Sequence, residues 1–205
     1  MLTLFYAPGA CSMAPHIVME ESGETYEPKK MDLSKGEQRT PEYLKIHPLG
    51  RVPALLLDDG SALTENTAIL PFLGKRFQMW PKDPVKEARA LSVIGFFAAT
   101  VHPANGHIGR PERYTDDKSA FPAIQAKAKQ SYAEYMKQID AMYAGREWLA
   151  GEYSVLDPYA FIFYFWHARR GEAAAELKNY TAFKDRMLKR PAVQRVIADE
   201  NVKIG

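Results

Sequence analysis

The chain has 205 residues, a formal net charge of +2, 46% apolar residues and 25% charged residues. This is the balance of a globular protein with enough chain for one or two domains. It carries no nucleic-acid signature, because basic and acidic residues are interspersed, and no apolar run of about 18 residues that would read as a membrane span.

Cys11 is the only cysteine, which excludes an internal disulfide framework and fits a reducing compartment. The small-residue stretch 7–14 superficially suggests a signal peptide. It has no basic segment before it, and Pro8-Gly9 interrupts it, so it reads as mature structure of a cytoplasmic protein.

Residues 1–77 read as mixed strand and helix. Leu2–Tyr6 is a strand, Met13–Ser22 a helix closed by Gly23, and Tyr26–Met31 a second strand that Pro28 pushes to a sheet edge. Ser34–Arg39 is polar and reads as loop, Pro41–Ile46 as a short helix with proline in its first turn, and His47–Arg51 as a turn. Val52–Leu57 is a third strand, Asp58-Asp59-Gly60-Ser61 a hairpin turn, and Ala62-Leu63 a fourth strand. A helix then runs from Thr64 or Glu65 to Phe77, with apolar residues at 69, 70, 72, 73 and 77.

The stretch 78–84, with two prolines, reads as a linker, and after it the strand signals stop. Residues 85–205 read as all-helical. Val85 to Arg110 is one long helix kinked at Pro103, and Ala120–Tyr143 is another. Pro158–Ala168 is apolar on nearly every side and predicts a central buried helix. Ser154 and Asp157 ahead of it form a capping box with Asp in the Glu position. Ala173–Lys178, Tyr180–Lys189 and Ala192–Asp199 supply shorter helices.

Two stretches carry chemistry. Cys11 and Ser12 fall between the first strand and the first helix, near free backbone N–H groups that favour an anion and lower a thiol's pKa. Cys11 therefore reads either as a reactive thiol or as a small buried filler. Pro53 begins a buried strand. A cis Val52–Pro53 bond would turn the Val52 backbone toward a ligand; a plain strand-start proline is the alternative.

Taken together, the run from Tyr6 through Cys11 to His16, the run His47–Leu55, and Leu63-Thr64-Glu65-Asn66 through Leu70 resemble a cytosolic glutathione transferase, most closely the bacterial beta class. A histidine in the first long helix of the second half and the Ser154–Asp157 box add to the resemblance, which covers the whole chain. It implies a thioredoxin-like N-terminal domain with a four-stranded mixed sheet, an all-helical C-terminal domain and a homodimer. It also implies glutathione as co-substrate, a small hydrophobic electrophile as the second substrate, a detoxification role, and no metal or other cofactor.

By the same resemblance Cys11, Ser12, His102 and His107 are the catalytic candidates. His102 holds the family position and His107 is an addition. Tyr6, Lys35, Arg51, Val52, Pro53, Glu65 and Asn66 are the glutathione-binding candidates. Val52 and Pro53 would take the cysteinyl part, Glu65 and Asn66 the γ-glutamyl end, and Lys35 the glycyl carboxylate. Asn66 stands where many relatives have Ser, and Gly95 where they often have Asn. Three functions follow: conjugation of glutathione to an electrophile, glutathione-dependent thiol–disulfide exchange through Cys11, and a non-catalytic binding or docking module on the same fold.

Overall fold

The computed structural model describes residues 1–171 and 176–204. Strand β1 (Thr3–Tyr6) is buried along its whole length, as its β-branched and aromatic residues favour. It is flanked by β2 (Glu27–Lys30) in parallel and by β3 (Ala54–Leu56) antiparallel, with β4 (Ala62–Thr64) outside β3. The order β2-β1-β3-β4 puts Pro28 on the edge strand, where its missing N–H breaks no inner ladder.

The parallel β1–β2 pair needs a crossover. It is α1 (Met13–Ser22), ended by Gly23 in the left-handed region at φ 69°. Residues 13 to 19 are all buried, because α1 lies between the sheet and helices from the end of the chain. The short helix α2 (Pro41–Ile46) is capped by the Thr40 hydroxyl, and α3 (Asn66–Arg76) follows β4. Val52–Pro53 is cis, and β3 begins only at Ala54. The strand expected from Val52 is thus shortened, and Val52 stays outside the ladder. The expected loop 34–39 is instead two tight 3-10 turns, Leu33–Lys35 and Glu37–Arg39. Asp32 caps the first by accepting from the Ser34 and Lys35 N–H groups.

After α3 the described residues form only helices and turns. The single long helix expected over 85–110 is two. α4 (Pro84–Phe96) passes through a π-turn at Phe97–Val101 into α5 (His102–Gly109). Pro103 has no N–H for the carbonyl four residues back, and the wider turn absorbs that loss. α6 (Phe121–Met142), α7 (Leu156–Arg169), α8 (Lys178–Leu188) and α9 (Pro191–Glu200) complete the chain. The helix expected over Ala173–Lys178 lies partly outside the described residues; Glu176 and Leu177 are not helical, and Lys178 opens α8.

α7 is the buried axis of the second half. Phe161, Ile162 and Phe163 have no exposed surface, each worth about 1.5–3 kcal/mol in burial. The expected box holds its start: the Asp157 carboxylate accepts from the Ser154 N–H at 2.9 Å and the Leu149 N–H at 3.1 Å, and the Ser154 hydroxyl accepts from the Leu156 N–H at 3.3 Å.

The end of the chain returns to its beginning. Glu200, 1% exposed on α9, accepts the Gly9 N–H at 2.7 Å and lies 2.9 Å from His16 Nδ1 on α1. A buried carboxylate is tolerable because both oxygens are engaged. Glu200→Ala removes both partners' acceptor at once. It is expected to lower unfolding free energy by about 3–5 kcal/mol, read from urea denaturation of both proteins.

Candidate active site

The turn after β1 carries Cys11. Gly9 is placed there by two demands. Its φ of +65° is in the left-handed region, and a Cβ on it would lie 3.2 Å from the Phe165 ring. The turn is clamped from both sides of its Gly9 peptide groups. Glu200 takes the N–H, and the Trp166 indole N–H on α7 donates to the carbonyl at 2.9 Å.

Cys11 is half-buried, and its Sγ–H donates to the Val52 carbonyl at 3.4 Å. Asn66, 5% exposed at the first turn of α3, donates from Nδ2 to the Cys11 carbonyl at 3.1 Å. Its Oδ1 is buried without a hydrogen-bond partner, which leaves an acceptor available at the site. Glu65 beside it is exposed and sits at φ 68°, ψ 132°. A non-glycine residue in that region is strained, a condition that clusters at ligand clamps. Cys11, Val52, the cis Pro53, Glu65 and Asn66 are therefore one neighbourhood. Asn66 gives one of its two amide N–H groups to the Cys11 carbonyl.

The thiol is not activated in the way its position before α1 suggested. Burial, with the charge of Glu65 second, pushes Cys11 up to about 12, and the positive charges of Arg110 and Arg51 only partly oppose this. Desolvation outweighs the helix terminus. Arg51 is exposed next to Val52, with its carbonyl held by the Tyr43 hydroxyl at 2.6 Å.

The other candidates have these surroundings. Ser12 is fully buried, and its hydroxyl is consumed inside the turn: it accepts from the Ala7 N–H at 3.0 Å and donates to the Ala7 carbonyl at 3.3 Å. It shapes the loop and has no donor left for a sulfur. Tyr6 is a packing residue, 6% exposed, with its ring 4.5 Å from that of His16. Lys35 is exposed on a 3-10 turn and pairs with Asp32 at 3.4 Å. His107 directs Nδ1 to the Pro103 carbonyl at 2.7 Å and stacks on Tyr114 with ring centroids 3.6 Å apart. Those bonds give it a structural role on α5.

His102 is half-buried with its ring 5.1 Å from Trp166 and 6.3 Å from Phe163. Through Trp166 it is linked to the Gly9 turn. Burial, then the charges of Arg51, Arg110 and Arg113, pushes it down to about 4. Burial thus favours the neutral imidazole near pH 7. Gly9, His16, Trp166 and Glu200 were missed as site-shaping residues. Their contacts span up to 191 positions, and only the run through His16 was singled out.

A thioredoxin-like four-stranded sheet followed by a helical half, with a cysteine facing a cis-proline backbone, defines the class of cytosolic glutathione transferase folds. A family model described as the glutathione S-transferase N-terminal domain matches residues 1–75. The glutathione S-transferase GstA of Escherichia coli O157:H7 is 31% identical over 98% of this chain and 100% of its own. A solved glutathione transferase homolog from Sulfitobacter with bound glutathione is 32% identical, with a TM-score of 0.92, over 98% of this chain and 99% of that one. A bacterial beta-class glutathione S-transferase from Sphingomonas chungbukensis is 30% identical, with a TM-score of 0.86, over 98% and 100%. The chain belongs to the glutathione S-transferase family and is a glutathione transferase.

The raised thiol has a measurable signature. Without glutathione, iodoacetamide should alkylate Cys11 at pH 7.5 at least about 100-fold more slowly than free cysteine. The rate should climb with pH through about 9 without the plateau of a low-pKa thiolate. A plateau near neutral pH, read by mass spectrometry, would contradict the burial argument.

Proposed function

We propose that glutathione lies across Cys11, Val52, Glu65 and Asn66 and that its thiol is conjugated to a small electrophile entering beside α5. The observation that carries this reading is the convergence at one turn of the Cys11 thiol, the Val52 carbonyl at 3.4 Å and the Asn66 amide at 3.1 Å, with strained Glu65 next to it. Val52 lies outside the β ladder, so its backbone can pair with a peptide-like ligand. Glu65 accepts from the ligand's ammonium, and N–H groups at the start of α3 face its carboxylate.

In the reaction the glutathione thiol gives its proton to solvent, sulfur forms a bond to the electrophilic carbon, and the leaving group departs with its electron pair. Neutral His102 supplies an N–H donor toward the sulfur. Arg51, whose charge already favours an anionic sulfur at Cys11, does the same for a thiolate bound beside it.

Thiol–disulfide exchange through Cys11 is the weaker reading. It needs Cys11 as thiolate, and burial holds it protonated. A purely structural binding module is also weaker, since Cys11, Val52, cis Pro53 and Glu65 are all in place together.

Glutathione titration followed by assay against a panel of electrophiles and mixed disulfides tests this. Conjugation with a saturable glutathione dependence is expected, and Glu65→Ala should weaken glutathione binding by about 1.5–3 kcal/mol. Turnover of mixed disulfides alone would favour the exchange reading. Unchanged affinity would remove Glu65 from the site.

The same reading includes a homodimer of a cytoplasmic, detoxifying enzyme. Ala88, Leu91 and Gly95 are exposed at positions i, i+3 and i+7 of α4, an apolar strip suited to a second copy. Sedimentation at micromolar concentration should give a dimer, and Leu91→Glu should shift it to monomer. A wild-type monomer would refute this assignment.

A further inference from the structure

The turn 47–51 is tied at both ends to one residue of α2. The His47 N–H donates to the Tyr43 carbonyl at 2.8 Å, and the Tyr43 hydroxyl donates to the Arg51 carbonyl at 2.6 Å. Within the turn the Gly50 N–H donates to the His47 carbonyl at 2.8 Å. Tyr43 thus closes the loop that delivers the chain to Val52 and the cis Pro53.

The Tyr43 side chain has little freedom. It is 3% exposed. Its ring meets that of Phe5 on β1 edge-on, with centroids 5.3 Å apart, and stacks on His47 at 6.5 Å. It shares a small apolar cluster with Phe5, Val52 and Ala54, apart from the main core. The Tyr43 N–H donates to the Thr40 hydroxyl at 3.3 Å, which fixes the backbone as well. Burial pushes the Tyr43 hydroxyl up from its ordinary value, so it stays protonated and donates.

That bond sets a direction. The Arg51 carbonyl and the Val52 N–H belong to one peptide plane. Among the described residues the cis bond is Val52–Pro53, so the 51–52 peptide is trans. In a trans peptide the C=O and N–H point to opposite sides. Drawing the carbonyl to Tyr43 therefore turns the Val52 N–H away from it. No acceptor among the described residues takes that N–H, and Val52 lies outside the β ladder. The next carbonyl, that of Val52, accepts from the Cys11 thiol. A backbone donor left open at this point is suited to a ligand's carbonyl.

We propose that Tyr43 is a positioning residue for glutathione: by holding the Arg51 carbonyl it aims the Val52 N–H at the cysteinyl peptide of the bound ligand. The proposal rests on the reading above, in which glutathione lies across Val52, and deepens it. Tyr43 acts only through the 51–52 peptide.

Tyr43→Phe keeps the ring and removes the hydroxyl, which frees that peptide to rotate. The Kd of glutathione by calorimetry, and its KM with 1-chloro-2,4-dinitrobenzene, should rise about 5–10-fold. At saturating glutathione, kcat and the KM of the chloride should stay within about twofold. Tyr180→Phe is the matched control. It also loses a buried hydroxyl bond to a carbonyl, that of Ala160 on α7, and should lose stability in urea without moving the glutathione Kd. Equal Kd shifts in the two variants would reduce Tyr43 to general packing and overturn the proposal.

Amide hydrogen exchange at Val52, followed by NMR, needs no variant. In the wild type glutathione should slow it at least about 10-fold, and Tyr43→Phe should remove most of that protection. A Val52 amide already protected without glutathione would overturn the proposal while leaving conjugation intact. Protection at Val52 with an unchanged Kd in Tyr43→Phe would uphold the glutathione reading and overturn the role of Tyr43. Glutathione binding with no change at Val52, or no binding, would overturn that reading and the proposal with it. If the chloride is not turned over, the Kd and the exchange decide.

Discussion

The site depends on how the backbone of one residue is held. Gly9 gives its N–H to a carboxylate on α9 and its carbonyl to an indole on α7, so the Cys11 turn is gripped by two helices of the second half. The first half supplies the third point, His16 on α1, which shares the same carboxylate. A turn between a strand and a helix is ordinarily mobile, being exposed and short of packing. Here it has a buried, charge-assisted anchor on one face, the Glu200 carboxylate, and an indole N–H on the other. The two halves are accordingly welded at the reactive loop, beyond their apolar contact.

Burial governs the two titratable groups nearest the chemistry, and in opposite directions. It raises the Cys11 thiol and lowers the His102 imidazole, and both changes favour the neutral form. The unliganded site is therefore electrically quiet at its centre, with the charges of Glu65, Arg110 and Arg51 acting on it from around. A thiolate formed there would owe its stability to those surroundings and to whatever ligand completes them. This separates the chemistry of glutathione's own sulfur from that of Cys11, which is better suited to lining the pocket than to attacking.

Much of the fold was legible in the sequence, because local rules governed it. Met13–Ser22 with Gly23, Pro41–Ile46 and the strand positions follow from period, capping and turn residues, and Pro28 on an edge follows from its missing N–H. The break at Phe97–Val101 was not legible. A proline announces a kink but does not say whether a bend or a widened turn will absorb it. The neighbourhood of Cys11, Val52, Glu65 and Asn66 was legible through motif resemblance. The electrostatics were not. A position before a helix argues for an activated thiol, and only the packed structure shows desolvation overriding it. The surroundings of Ser12 and His107 were hidden for a related reason: each has a chemically capable side chain that bonds locally, to Ala7 and to Pro103. Glu200 was invisible, since nothing in a glutamate near the end of an amphipathic helix points to a glycine in the first turn.

The same glutamate imposes an order in time. His16 and Glu200 are 184 positions apart, and at ribosomal elongation rates that separation corresponds to roughly 10–40 s. Throughout that interval the sheet and α1 can assemble, but the Cys11 turn lacks its acceptor. Nascent chains and prematurely terminated ones would carry every glutathione-facing residue of the first half and still lack the fixed loop. Competence is thus conferred by α9, and the site of the first half is completed only once residue 200 has been made.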